Sequence, residues 1–222
     1  MHESLEKLNL VKNKVKEIVE KKQLKICPKI IVVTKTFSLD KFLPLLKGGH
    51  NDFGENKIQE AEKKWSQIKE NYKDLKLHMI GRLQSNKAKK AVQLFDYIHS
   101  LDSEKLALKL SQSEKELNKK IKLFIQVNLA EESQKSGIDP NNLGAFYNYC
   151  KNDLSLDVIG LMCLPPINSN SEKYFKLLRE EADKLSLKEL SMGMSSDYKQ
   201  AVSDGSTYIR LGTAILGERN TI

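Results

Sequence analysis

The chain has 222 residues, of which 40% are hydrophobic and 30% charged, so it can bury one sizeable core without disulfides or metals. Its formal net charge is +8, but the lysines are scattered along the predicted helices, which favours a solvated basic surface over a specific nucleic-acid site. The three cysteines are widely spaced and form no CxxC pair, which argues against a disulfide framework or a thiolate zinc site. These features predict a single domain over residues 1–222.

The N-terminal sequence does not resemble a targeting signal. A charged helical pattern begins at Glu3, where a secretory signal would have an apolar stretch, and no later apolar run approaches the length of a bilayer span. We therefore expect a soluble, unprocessed protein of the reducing cytoplasm that makes no membrane contact.

The first predicted element is a helix over about residues 3–22, because its apolar side chains recur at spacings of three and four and form one stripe. The members of this stripe are Leu5, Leu8, Val11, Val15, Ile18 and Val19. The segment 29–34, Lys-Ile-Ile-Val-Val-Thr, follows as a β-branched run that is too short for a helix and apolar on both faces. We interpret it as a buried parallel strand.

Helix-like and strand-like segments then alternate along the chain. Predicted helices cover 39–47, 56–71, 85–94, 103–118, 140–151, 171–186 and, in a short form, 197–203. Predicted strands cover 51–53, 76–80, 97–100, 121–128, 156–161, 188–191 and 207–211, and a terminal turn lies around 213–216. Eight strands in this alternation predict an α/β fold, a single (β/α)8 TIM-like barrel preceded by an N-terminal helix. An open doubly wound sheet is the alternative, and strands 51–53 and 188–191 have the weakest patterns.

Lys35 is the first candidate functional residue, because the functional groups of such barrels stand at the C-terminal ends of the strands. The two-residue period of a strand places Lys35 on the face of Ile31 and Val33, with Thr34 opposite. A lysine desolvated in a barrel mouth becomes a Schiff-base nucleophile. A lysine that ends a strand by chance reaches into solvent instead, and the spacing alone leaves both interpretations open.

The loops after the last two predicted strands are typical of a phosphate site, which TIM barrels often build at this position. They read Met192-Gly-Met-Ser195 and Leu211-Gly-Thr213. Glycines at 193 and 212 let backbone N–H groups approach an anion, and Ser195 and Thr213 add hydroxyl donors near helix starts. Ordinary turn glycines with capping hydroxyls are the alternative for either loop alone.

The roles of the other polar residues near strand ends can each be interpreted in two ways. Arg210 shares its predicted face with Tyr208, so the guanidinium either enters the same mouth or lies on the surface. Asn56 either contacts a ligand or caps the helix that follows, and the cap is the commoner role. The histidines at 2, 50, 78 and 99 lack the i, i+4 spacing of a helical metal site, and we expect His78 to have a hydrogen-bonded structural role.

Six stretches in order along the chain resemble the pyridoxal 5'-phosphate (PLP) homeostasis proteins, a family similar to the barrel domain of bacterial alanine racemase. The stretches are 33–36 (Val-Thr-Lys-Thr), 53–60 (Phe-Gly-Glu-Asn-Lys-Ile-Gln-Glu), 78–87 (His-Met-Ile-Gly-Arg-Leu-Gln-Ser-Asn-Lys), 126–128 (Gln-Val-Asn), 160–166 with its paired prolines, and 190–210 with Met-Gly-Met-Ser. Each is weak alone, but the six together are specific. The sequence departs from the family pattern at Thr34, Lys57 and Leu216, where serine, tyrosine and phenylalanine are usual.

The resemblance implies a role for six residues around bound PLP. These are Lys35 as the internal aldimine, Asn56 beside the ring, Ser195, Gly212 and Thr213 at the phosphate, and Arg210 at the pyridine nitrogen.

The resemblance also implies a cytoplasmic monomer that carries or buffers PLP for vitamin B6 and amino-acid homeostasis, with PLP-dependent apoenzymes as recipients and without a dedicated catalytic activity. A PLP-dependent amino-acid racemase is the alternative function. Such an enzyme needs a second acid–base group on the other face of the cofactor, and we expect the residues after the last strand to be too few to supply it. A nucleic-acid-binding module, which rests on charge alone, is a third hypothesis.

Overall fold

The structure, a computed structural model, describes residues 2–130 and 136–218. Eight strands occur within these residues: β1 (Lys29–Val33), β2 (Asp52–Glu55), β3 (Lys76–Met79), β4 (Tyr97–Leu101), β5 (Lys122–Gln126), β6 (Asp157–Met162), β7 (Glu189–Met194) and β8 (Tyr208–Leu211). All pair in parallel and in sequence order, and β8 returns to β1. The predicted barrel is confirmed, and its closure rules out the open sheet.

The helices form the outer layer of the barrel. They are α1 (Glu3–Lys21), α2 (Leu39–Lys47), α3 (Ile58–Asn71), α4 (Ala88–Leu94), α5 (Glu104–Leu117), α6 (Pro140–Asn148), α7 (Ser171–Lys184), α8 (Tyr198–Ser203) and the single turn α9 (Thr213–Leu216). The N-terminal helix α1 packs beside α2, α8 and α9 and buries part of its predicted apolar stripe. Across residues 2–130 and 136–218, every helix falls short of the length and apolar character needed to cross a lipid bilayer.

The element boundaries differ from the predicted ones mainly at irregular turns. A 3-10 turn at Ser85–Lys87 precedes α4, and a π turn at Tyr149–Asp153 extends α6, so two predicted helices are each composite. The strands with the weakest patterns are longer than predicted, since β2 ends at Glu55 and β7 at Met194. Both extensions lie at the C-terminal ends of their strands, at the mouth of the barrel.

The core has two compartments, as alternation along a barrel strand requires. In the compartment between strands and helices, the rings of Phe42 and Trp65 stack with their centroids 4.9 Å apart. The ring centroid of Phe53 lies 5.0 Å from that of Trp65. A separate apolar cluster fills the barrel interior, and its members are Ile31, Tyr97, Phe124, Met162 and Tyr208. The buried interior also holds His78 and His99, which gives it a polar component.

Candidate functional site

A cavity of about 560 Å³ opens at the C-terminal mouth of the barrel. All six of the predicted site residues line it, namely Lys35, Asn56, Ser195, Arg210, Gly212 and Thr213. They come from segments that follow β1, β2, β7 and β8, together with Arg210 of β8 itself. The structure therefore brings together residues that are up to 178 positions apart in the chain.

Lys35 lies at the end of β1 on the predicted face. Val33 lines the same cavity, and Ile31 belongs to the interior cluster below it. Thr34 points the opposite way, and its hydroxyl donates a 2.6 Å hydrogen bond to Oε1 of Glu55. The assignment of Lys35 to the barrel interior, made from a two-residue period, is thus confirmed.

Charged side chains from α3 hold the backbone on both sides of Lys35. The ammonium of Lys64 donates to the carbonyl of Thr34 at 2.6 Å, and the N–H of Thr36 donates to Oε1 of Glu60 at 2.5 Å. Lys64 and Glu60 are themselves an ion pair at 2.6 Å. Thr36 has a φ of 66°, a left-handed conformation that costs free energy for a residue other than glycine, so these contacts stabilise a strained turn.

Glu55 completes this support from behind the strand. Its side chain is fully buried, and Oε1 accepts hydrogen bonds from Thr34, Lys64 and Nε1 of Trp65. Burial raises the pKa of the Glu55 carboxyl. Glu55, Glu60 and Lys64 could not be predicted as supporting residues, since nothing in their spacing indicates contact with the backbone around Lys35.

The predicted phosphate loops meet at the start of α9. The hydroxyl oxygen of Ser195 accepts hydrogen bonds from the backbone N–H groups of Gly212 and Ala214, both at 3.3 Å. Two backbone donors therefore converge on one oxygen atom at the cavity wall. A Cβ at Gly212 would make only ordinary contacts with Val33, so this glycine leaves the backbone accessible but is not sterically required.

Gly193, predicted to let its backbone approach an anion, is not among the residues that line the cavity, and its conformation has a structural reason. Its φ is +93°, and a Cβ there would lie 2.5 Å from the Cβ of Ala201. Gly193 is needed so that α8 can pack closely against β7, a structural reason that the turn sequence did not distinguish from ligand binding.

Arg210 is buried, with 4% of its surface exposed, at the floor of the cavity. Its Nη1 donates to Oγ of Ser191 at 2.6 Å, and its Nη2 donates to the carbonyl of Cys163 at 3.0 Å. The expectation that Arg210 enters the mouth is confirmed, and the surface alternative is excluded. Ser191 and Cys163 were not singled out from the sequence, because their contacts cross from neighbouring strands.

Asn56 is a cavity residue rather than a helix cap. Helix α3 begins at Ile58 with Lys57 in the N-cap position, so the capping interpretation is wrong. The backbone of Asn56 packs directly against Gly81, and a Cβ at residue 81 would lie 2.8 Å from the Cα of Asn56. Gly81, which the sequence analysis did not select, therefore sets how closely the Asn56 segment lies to the cavity.

Gly81→Ala is expected to destabilise the protein by about 1–3 kcal/mol, because the added methyl overlaps the Asn56 backbone rather than a flexible side chain. Gly144→Ala in α6 is the matched control, since a Cβ there meets no atom within 4 Å among the described residues. Urea unfolding of both variants measures the difference. Equal unfolding free energies for the two would contradict the packing role of Gly81.

Comparison with known proteins identifies the family. Residues 7–220 match the family described as alanine racemase, N-terminal domain. A pyridoxal phosphate homeostasis protein of Aquifex aeolicus is 37% identical over 202 residues, covering 87% of this chain and 88% of that protein. One from Synechocystis is 38% identical over 200 residues, covering 86% and 91%. The chain belongs to the pyridoxal phosphate homeostasis protein family.

A solved structure of the same family shares the fold. PipY of Synechococcus elongatus PCC7942, described with PLP bound, is 35% identical with a TM-score of 0.80, over 91% of this chain and 100% of PipY. The resemblance noted from six sequence stretches is therefore confirmed. In this member of the PLP homeostasis family, the six predicted site residues converge on the barrel mouth.

Proposed function

We propose that the chain binds PLP in the mouth cavity through Lys35 and thereby carries or buffers the cofactor, in support of vitamin B6 and amino-acid homeostasis. The observation that carries this proposal is the convergence on one cavity of an amine, a buried guanidinium and the two hydroxyl-bearing loops that meet at the start of α9. PipY, a relative described with PLP bound, supports the choice of ligand.

The donor set fits three of the polar groups of PLP, namely the phosphate, the pyridine nitrogen and the aldehyde. A phosphate needs several N–H or O–H donors, and the segment Ser195, Gly212, Thr213 and Ala214 offers them at one wall. A pyridine nitrogen accepts a hydrogen bond, and the guanidinium of Arg210 can only donate. The aldehyde requires an amine, which Lys35 presents beside Val33.

Different residues of the chain would contact different parts of the ligand. The ε-amine of Lys35 would bond to the aldehyde carbon of PLP, and the aldehyde oxygen would leave as water. Glu60 and Lys64 hold the backbone on both sides of Lys35, and Asn56 would line the ring from the cavity wall. When bound, PLP supplies an electron-withdrawing ring, the chemistry that PLP enzymes use.

We propose that a monomer suffices for binding, since all six predicted site residues of one copy of the chain line the same cavity. We also propose PLP-dependent apoenzymes as recipients, since a reversible carbon–nitrogen bond to Lys35 can pass the cofactor to another lysine.

An absorbance spectrum of the purified protein, recorded with PLP before and after borohydride, tests the proposal. A visible band that disappears on reduction, with PLP retained after denaturation, is the expected result. A spectrum identical to that of free PLP would overturn the proposed function and favour a partner recognised by charge.

Ser195→Ala and Thr213→Ala are each expected to weaken PLP binding by about 1–3 kcal/mol, if the hydroxyls donate to phosphate oxygens in a partly desolvated site. The measurement is a PLP titration, repeated with pyridoxal, which lacks the phosphate. Ser203→Ala in α8 is the control, since that hydroxyl bonds to the carbonyl of Lys199. Variants that lose pyridoxal and PLP affinity equally would show that these hydroxyls serve the turn structure alone.

A further inference from the structure

A chain of polar side chains crosses the interior of the barrel from Arg210 to the opposite end. Nη1 of Arg210 lies 2.6 Å from Oγ of Ser191, which lies 2.8 Å from Nδ1 of His99. Nε2 of His99 lies 3.0 Å from Nδ1 of His78, and Nε2 of His78 lies 3.0 Å from Oδ1 of Asp52. The contacts link β8, β7, β4, β3 and β2 in turn.

Every hydrogen bond in this polar chain is donated in the same direction, from Arg210 toward Asp52. A guanidinium can only donate, so Arg210 donates to the hydroxyl oxygen of Ser191. The single proton of Ser191 is then directed to Nδ1 of His99. A neutral His99 that accepts at Nδ1 carries its proton on Nε2 and donates to His78. In the same way, His78 donates from Nε2 to the carboxylate of Asp52.

Packing fixes the two imidazoles in this arrangement. The ring of His99 stacks on Phe124 at 4.3 Å, and the ring of His78 stacks on Tyr97 at 4.4 Å. Both histidines are fully buried, and burial lowers the pKa of each below its ordinary value. A neutral ring has one N–H donor, and the carboxylate of Asp52 can only accept, so His78 carries its proton on Nε2 and accepts from His99 at Nδ1.

The polar chain also links the buried charge of Arg210 to a carboxylate. A buried guanidinium is costly unless its charge is compensated, yet the hydrogen bonds described for Arg210 go to a hydroxyl and a carbonyl. Asp52 is the acceptor at which the chain of donors ends. Each polarised hydrogen bond strengthens the next, so the carboxylate favours electron density on Oγ of Ser191.

We propose that Ser191, His99, His78 and Asp52 act together as positioning residues for Arg210, holding its guanidinium at the cavity floor with a fixed direction of donation. The proposal rests on the proposed function in one respect, that Arg210 meets the pyridine nitrogen of PLP. It predicts that removing a residue of the polar chain inside the barrel changes how the cofactor is held, although Ser191 and His99 are not among the residues that line the cavity.

Ser191→Ala tests this with little change in volume. The variant is expected to release PLP about tenfold faster than wild type after rapid dilution, the scale of one lost hydrogen bond to a charged group. Ser100→Ala is the matched control. Ser100 is also fully buried, lies beside His99 in β4, and its hydroxyl has no hydrogen-bond partner within the described part of the chain. Its release rate is expected to equal that of wild type.

A second variant distinguishes a chain from separate local effects. His99→Phe keeps the stacking on Phe124 but removes both hydrogen bonds, so it is expected to accelerate release in the same direction. If the hydrogen bonds act as one unit, breaking a second one adds no further effect. The double variant Ser191→Ala/His99→Phe should therefore release PLP no faster than Ser191→Ala alone. The proposal would be overturned if the two substitutions multiplied each other's effect on the PLP release rate, or if Ser191→Ala released PLP at the same rate as Ser100→Ala.

Nitrogen-15 NMR of the histidines in the PLP-free protein supplies a readout independent of the cofactor. Both His78 and His99 are expected to carry a proton on Nε2 alone at about pH 7.5, because burial lowers the pKa of each ring and the hydrogen bonds leave Nδ1 as the acceptor. A proton on Nδ1 of either ring at that pH would overturn the proposal. Absence of PLP binding in wild type would instead refute the proposed function and leave this NMR result to decide.

Discussion

Lys35→Ala is expected to abolish the visible absorbance band of the bound cofactor and its retention after borohydride reduction. The carbon–nitrogen bond needs the ε-amine, whereas the phosphate and ring contacts come from other segments. Some PLP should therefore still bind without a covalent link. Titration followed by equilibrium dialysis measures this residual binding, and spectra before and after reduction measure the loss of the band.

Peptide mapping of the reduced wild-type protein checks the same assignment directly. The pyridoxyl group is expected on Lys35 alone, since Lys35 is the one lysine that lines the cavity within residues 2–130 and 136–218, while Lys57 is exposed. Lys57→Ala is the control and should retain the full band. A label found on another lysine, or a band that survives Lys35→Ala, would refute the role of Lys35.

Much of the barrel was predictable because its cause is local. β-branched runs alternate with amphipathic segments, and a two-residue period placed Lys35 on the face of Ile31 and Val33 and Arg210 on the face of Tyr208. Boundaries were less predictable where geometry depends on neighbours. For example, the register between β7 and β8 shifts between Ser191 and Met194, which lengthens β7 beyond its predicted end.

The contacts that support the site could not be read from the sequence. Ser191 and His99 are 92 positions apart and meet only because the barrel closes. Gly193 and Gly212 have equivalent turn sequences, yet one serves helix packing and the other lines the cavity. Such differences depend on which atoms lie opposite a residue, and a periodic pattern carries no information about them.

Arg210→Glu is expected to increase the exchange of the α-proton of added amino acids by about tenfold or more, which corresponds to about 1.4 kcal/mol in activation free energy. The pyridine ring withdraws electrons most strongly when its nitrogen is protonated, and enzymes of the transaminase type secure that proton with a carboxylate. Arg210 disfavours that proton, because a guanidinium stays charged and only donates. A glutamate at the same position would favour it, with Ser191 able to donate to the new carboxylate.

Arg210→Gln is the matched variant, because it removes the cation without adding an anion. Once absorbance has established that each variant binds PLP, deuterium exchange of alanine followed by proton NMR gives the rates. We expect exchange to be fastest in the Glu variant, slower in the Gln variant and slowest in wild type, with slow formation of the pyridoxamine form in the glutamate variant. If Arg210→Glu fails to bind PLP, the comparison of Arg210→Gln with wild type carries the test. Wild-type exchange as fast as in the variants would refute the idea that Arg210 restrains the cofactor, and would favour the racemase alternative.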